Sequence, residues 1–137
     1  MDVFLDANVL FSASDPASPT AELFQRIRSR TRAVTCDYAI EEVRRNIEQK
    51  RPELASNWEL LAQQIHLVPT IVYALPIKLE KYDMPILCSA IRAKCSYLVT
   101  GDRKHFGQFY DQNVYGVTIV SLGRITEILS EMYSIDP

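Results

Sequence analysis

The sequence predicts one α/β domain built on a mainly parallel sheet that is covered on both faces. Three observations carry that expectation. Short runs of β-branched and aliphatic residues alternate with longer stretches whose apolar residues recur every three or four positions, as strand–helix–strand units require. The 137 residues suit a single domain able to bury roughly two-thirds of its surface. A content of 47% hydrophobic and 23% charged residues is that of a globular chain, and no repeat, low-complexity stretch or linker divides residues 1–137.

The elements follow in order. Residues 2–5 (DVFL) read as a buried strand ending at Asp6, and Asn8 to Ala13 as a short helix stopped by Asp15-Pro16-Ala17-Ser18-Pro19. Ser18 followed by Pro19 is a cap and first-turn proline, opening a helix that buries Ala21, Leu23, Phe24 and Ile27. Arg26, Arg28, Arg30 and Arg32 gather at its end, where cations complement the helix dipole. Ala33–Cys36 is a second strand, with Asp37 expected to cap a helix from Tyr38 to about Gln49 burying Ile40, Val43 and Ile47.

Pro52 opens a helix carrying Leu54, Trp58, Leu61 and Ile65, and His66–Pro69 suits a third strand. Leu75–Tyr82 is a connection with no assigned structure. Asp83 precedes Met84-Pro85, a proline tolerated only in a first helical turn, and the helix buries Ile86, Leu87, Ala90 and Ile91 before ending near Lys94. Tyr97–Thr100 is a fourth strand ended by Gly101-Asp102. Val117–Val120 is a fifth, and Ser121 caps a last helix with Ile125, Ile128, Leu129 and Met132 on one face.

Net charge is −2, so no global basic field advertises nucleic-acid binding. MDVFLD lacks the basic and long apolar regions of a signal peptide, and no apolar run approaches the roughly 20 residues that span a bilayer. Cys36, Cys88 and Cys95 match no zinc spacing, and reduced, buried thiols in a cytoplasmic protein are expected.

The chemistry concentrates in Asp6, Glu42, Asp83 and Asp102. In an open α/β sheet, ligands bind outside the carboxyl ends of the strands, where the strand order reverses. Asp6 ends the first strand, Asp102 follows the fourth, and Asp83 and Glu42 lie in the opening turns of neighbouring helices. Gathered acids repel one another, so such a pocket needs protons or cations. Oxygen ligands, with no His or Cys expected among them, favour Mg²⁺ or Mn²⁺ over zinc. Taken singly, each acid also has a structural reading: a turn at Asp6 and Asp102, a cap at Asp83, a solvated surface at Glu42.

Three other acidic or nucleotide-binding folds lack necessary residues. A dehalogenase-type phosphatase requires Asp-x-Asp, and the segment here is Asp6-Ala7-Asn8. A receiver domain requires an early acidic pair and a lysine after the last strand, where Ser121-Leu122 stand. A dinucleotide fold requires G-x-G-x-x-G directly after the first strand, and none of the four glycines lies in that region.

The segments FLDANVLFSA, DYAIEEVRRNI and KYDMPILCSAIRAKCSYLVTGDRKHF resemble the PIN-domain family, and within it the VapC-like toxin ribonucleases of type II toxin–antitoxin pairs. The resemblance spans the whole chain, and its third segment is the most specific. It implies a three-layer α/β/α sandwich around a mainly parallel sheet (PIN-like) and a Mg²⁺- or Mn²⁺-dependent ribonuclease site. The family's first, third and fourth acids fall on Asp6, Asp83 and Asp102. The second falls on Glu42, because Glu42-Val43 fits an acid followed by an aliphatic residue better than Glu41-Glu42 does. Asn8 matches an asparagine that supports the first acid, and Thr100 a hydroxyl that lines the site or orients an acid. Ser96 and Cys88-Ser89-Ala90 depart from the family pattern without touching these positions.

The implied reaction is hydrolysis of an RNA phosphodiester to 5′-phosphate and 3′-hydroxyl ends. Asp6, Glu42, Asp83 and Asp102 would be its catalytic, metal-holding residues, and Thr100, Arg103 and Lys104 its substrate contacts. Arg103 and Lys104 read equally well as a solvated turn, and His105 as an edge-of-site or packing residue rather than a general base, since the metal would supply the hydroxide. A cognate antitoxin is the implied protein partner, and a homodimer through exposed residues such as Trp58 or Tyr73 is compatible. The alternative is a non-catalytic PIN-fold interaction or RNA-binding module.

Overall fold

The computed structural model describes residues 1–133. Its elements run β1 (Asp2–Leu5), α1 (Ala7–Ala13), α2 (Pro19–Arg30), β2 (Arg32–Cys36), α3 (Asp37–Lys50), α4 (Ala55–Ala62), β3 (His66–Val68), α5 (Met84–Arg92), β4 (Tyr97–Val99), α6 (Arg103–Phe106), β5 (Asn113–Val114), β6 (Val117–Val120) and α7 (Leu122–Tyr133). The strand order is β3-β2-β1-β4-β6-β5, parallel except for the β5–β6 pair. Successive strand residues point to opposite faces, yet Val3, Phe4 and Leu5 are all fully buried. Both faces of the central strands are therefore covered by helices, giving the expected layered α/β sandwich.

Sequence order climbs from β1 through β2 to β3 on one side of the sheet and jumps to β4 on the other. The switch point thus lies between β1 and β4, whose register pairs Leu5 with Val99. Ser18 accepts from the Ala21 N–H at 3.2 Å and Ser121 from the Arg124 N–H at 3.0 Å, so both expected caps form. The arginines at the end of α2 serve the fold: Arg32 clamps Asp2 with bonds of 3.0 and 2.7 Å, and Arg26 reaches Ser130 on α7.

Several expectations change. Cys36, not Asp37, is the N-cap of α3, and Asp37 occupies the first turn, where its charge meets the helix dipole. Leu54 lies in a 3₁₀ turn before α4, Ile65 lies beyond that helix, and α5 ends at Arg92. Trp58 is only 6% exposed, packed in the core, so it offers nothing to a partner, whereas Tyr73 is exposed. Met132 is exposed rather than part of the apolar face of α7. The short β5 and α6 had no expectation attached. All three cysteines are free and buried. No helix among the described residues is long and apolar enough to cross a membrane.

Candidate active site

Asp6 is delivered by the end of β1, with its backbone N–H bonded to the carbonyl of Val99 at 3.1 Å. It is 5% exposed and fully engaged. Oδ1 accepts from the Ala7 N–H at 2.7 Å, capping α1, while Oδ2 accepts from the Thr100 hydroxyl at 2.8 Å and the Asn8 amide at 3.1 Å. Asn8 in turn accepts from the Gly101 N–H at 2.8 Å, tying the β1–α1 turn to the end of β4. Burial pushes the Asp6 carboxyl up to about 6 against those hydrogen bonds, with smaller pushes from the charges of Glu42 and Asp83.

Thr100 has no exposed surface. Its hydroxyl donates to Asp6 and accepts from the Asp102 N–H at 3.1 Å. It therefore orients the Asp6 carboxylate and fixes the backbone at Asp102, and with no exposed surface it offers nothing for the substrate contact also expected of it.

Asp102 opens α6. Oδ1 accepts from the His105 N–H at 3.1 Å, and Oδ2 lies 2.8 Å from His105 Nδ1. Asp83 opens α5 without capping it: no side-chain cap bond forms. Its carboxylate turns to the same imidazole, with Oδ2 2.9 Å from Nδ1. Neither approach to Nδ1 has the direction of a ring N–H hydrogen bond, so Asp83 Oδ2 and His105 Nδ1 are buried atoms with no hydrogen-bond partner among the described residues. Burial raises Asp83 to about 6, His105 opposes that rise, and Asp102 and Glu42 add to it.

Glu42, half-buried on α3, is felt by this group: burial raises its carboxyl, Arg45 counters, and Asp102 pushes the same way as burial. Glu41 instead is exposed and ion-paired to Arg44, which lowers its pKa. One acid of the pair faces the site and the other faces solvent.

The residues suit a bound cation. Asp83, Asp102 and His105 offer ligand atoms all within 4.8 Å of one another. Two of those atoms lack hydrogen bonds, and two carboxyls in the site resist ionising without added positive charge. The expectation of an oxygen-only set changes: His105, expected at the edge of the site or in packing, stands between two of the acids. The signal for it was its place three residues after Asp102, one helical turn along. Arg103 and Lys104 are exposed beside the acids. A larger concavity of about 660 Å³, between the α1–α2 turn and α4, has Glu22 as its one ionisable residue and holds no comparable chemistry.

No protein-family model matches the chain, and no curated protein does. Solved structures do. A chain of the crystal structure of VapBC2 from Rickettsia felis, bound to a DNA fragment from their promoter, superposes with a TM-score of 0.65. The match covers 88% of this chain and 98% of that one, at 11% identity. The fold is PIN-like. At that identity the likeness speaks for the fold alone.

Proposed function

We propose that this protein is a metal-dependent endoribonuclease, with Asp6, Glu42, Asp83 and Asp102 as its catalytic acids. The observation that supports the reading best is the cluster of Asp83, Asp102 and His105 beyond the end of β4, with ligand atoms within 4.8 Å of one another, and with Asp6 and Glu42 near enough for their charges to be felt there. An isolated structural acid is stabilised by caps or ion pairs. Asp83 has neither a cap bond nor an arginine or lysine partner among the described residues.

Asp83 and Asp102 would hold Mg²⁺ or Mn²⁺, with Glu42 and Asp6 adding their charge, and His105 stands against both of the first two. Such an ion, when bound, supplies a water activated for attack and charge neutralisation at the phosphate. The chain's own residues fix the acids: Asn8 and Thr100 hold Asp6, and Thr100 aligns the backbone before Asp102. In the hydrolysis, a bond forms from the water oxygen to phosphorus and the bond to the 3′ oxygen breaks. One water proton leaves to solvent and the 3′ oxygen takes one up, giving 5′-phosphate and 3′-hydroxyl ends.

The likeness to a VapBC2 chain supports a toxin–antitoxin setting, in which a protein antitoxin would block the acids with a basic side chain. The deciding assay is cleavage of a labelled RNA in Mn²⁺ or Mg²⁺, with EDTA and Asp83→Asn as controls. Cleavage that needs the ion and vanishes in the variant is expected. Cleavage surviving Asp83→Asn, or no cleavage at all in either metal, sinks the reading and leaves a binding module. Growth arrest on expression, relieved by a co-expressed neighbouring gene product, tests the toxin reading separately.

A further inference from the structure

Residues 75–80 form a strap that bends at Pro76, where the Ile77 N–H donates to the Leu75 carbonyl at 2.8 Å, and that pairs with no strand among the described residues. Leu75, Ile77 and Leu79 are half-buried against the core, and Pro76, Lys78 and Glu80 alternate outward. The Gln108 side chain donates to the Lys78 carbonyl at 3.2 Å, fastening the strap beside α6. Between them lies an open cleft of about 590 Å³ lined by Lys78, Lys81, Arg103 and Lys104, with Glu80 as its one carboxylate. None of these four cations forms an ion pair among the described residues. In a chain of net charge −2, four unpaired cations in one cleft form a local positive field without a structural debt to discharge.

The cleft is joined to the acids. His105 lines it and also touches Asp83 and Asp102. Tyr82, at the end of the strap, sets its ring edge-on to His105 at 5.5 Å and remains 53% exposed. Its hydroxyl lies 3.3 Å from His105 Nε2, and its backbone carbonyl accepts from the Tyr38 hydroxyl at 3.0 Å. An exposed aromatic ring held at the end of a basic groove is how single strands are bound without sequence readout: cations follow the phosphates and a ring stacks a base.

We propose that this cleft is the docking track for a single-stranded nucleic acid. Lys78, Lys81, Arg103 and Lys104 hold successive phosphates, and Tyr82 stacks the base nearest the acids. Tyr82 then makes the protein prefer unpaired over duplex strands, because a paired base has no free face to offer. The placement of a scissile phosphate rests on the nuclease reading, whereas the binding does not need it.

Binding is therefore measured in EDTA, by fluorescence anisotropy of a short labelled RNA, against the same RNA as a duplex and against polyglutamate. The double variant Lys78→Ala/Lys81→Ala is expected to raise Kd at least about tenfold. Its log–log salt slope should shrink by about 1.4, the share of two phosphate contacts on a single strand. Tyr82→Ala should weaken single-strand binding about tenfold and leave duplex binding unchanged, while Tyr82→Phe keeps wild-type affinity. Lys50→Ala, in the last turn of α3 and far along that helix from Glu42, serves as the charge control. Unchanged affinity and slope in the lysine double variant overturn the track. Equal affinity for duplex, or tighter binding of polyglutamate than of RNA, overturns the single-strand assignment in favour of another polyanion. Binding that obeys these expectations in a protein that never cleaves supports the track while refuting the nuclease reading.

Discussion

Replacing Asp6 by Asn should make the metal-free protein more stable at pH 8 and less stable at pH 4. Asp6 ionises at 3.8 when unperturbed and at about 6 when buried in the fold. Between those values the folded state keeps a proton that the unfolded chain has released, so the stability of the wild-type protein falls as pH rises through this window and levels off above it. The gap of about 2 units corresponds to about 3 kcal/mol. Asn carries no such proton and removes that slope. It also changes the hydrogen bonds. The amide oxygen still accepts from the Ala7 N–H and the new NH₂ can donate to the Thr100 oxygen, but it then faces the Asn8 NH₂, which lies 3.1 Å from the present oxygen. One donor–donor clash costs about 1 kcal/mol. Net, Asp6→Asn should lose about 1 kcal/mol at pH 4 and gain about 2 kcal/mol at pH 8. Urea unfolding of both proteins in EDTA at several pH values provides the test. The remaining acids titrate in both proteins and largely cancel, since their pull on Asp6 ranks below its own desolvation. A stability difference that stays flat from pH 4 to pH 8 would refute the claim that Asp6 is held ionised at a cost.

Three further outcomes are expected. Glu42→Gln should cut cleavage at least about tenfold while Glu41→Gln leaves it unchanged, because Glu41 is spent on Arg44 at the surface; equal effects in a metal-dependent RNase assay would reverse the choice. Thr100→Val should lower activity and destabilise the fold by about 1–3 kcal/mol, as Asp6 and the Asp102 N–H each lose a buried partner; wild-type activity with unchanged denaturation would remove Thr100 from the positioning of the acids. Trp58→Ala should cost about 3–5 kcal/mol in urea unfolding, given 6% exposure, and a surface-like loss below about 0.5 kcal/mol would restore it as a candidate partner contact.

How much of this was legible in the sequence depended on whether a residue's role is set locally. Asp6 and Asp102 could be placed because the strand ends before them are marked by buried runs, VFL and YLV, and the fold rule sends strand ends to one edge. Ser18-Pro19 and Ser121 announced their helices through cap chemistry within one turn. The β5–β6 hairpin carries a weaker local signal. Tyr115 and Gly116 both have positive φ, at 50° and 101°, the two-residue turn that matches strand twist, and Gly116 is its one local mark, since Tyr115 stands where Asn or Asp is usual. The strap 75–80 carried an alternating pattern, but with no strand beside it the alternation reports packing on the core rather than pairing.

His105 was not legible in that way, and the reason is instructive. Four residues of α6 are too few for a periodicity, and an imidazole after Lys-Arg-type residues reads as one more charge in a turn. Its position is fixed by a cap. Because Asp102 Oδ1 holds the His105 N–H, the imidazole is folded back over the same carboxylate and towards Asp83, an element nineteen residues upstream in the chain (102 − 83). The same cap that reads as a structural reason for Asp102 thus brings an imidazole nitrogen into the acidic group. Structural and catalytic readings of Asp102 are not rivals here. Capping uses one carboxylate oxygen and leaves the other facing Nδ1, whereas Asp83 gives up its cap altogether. An acid that declines an available cap in a buried position, at a cost in stability, is the stronger pointer to chemistry, and Asp83 is that acid.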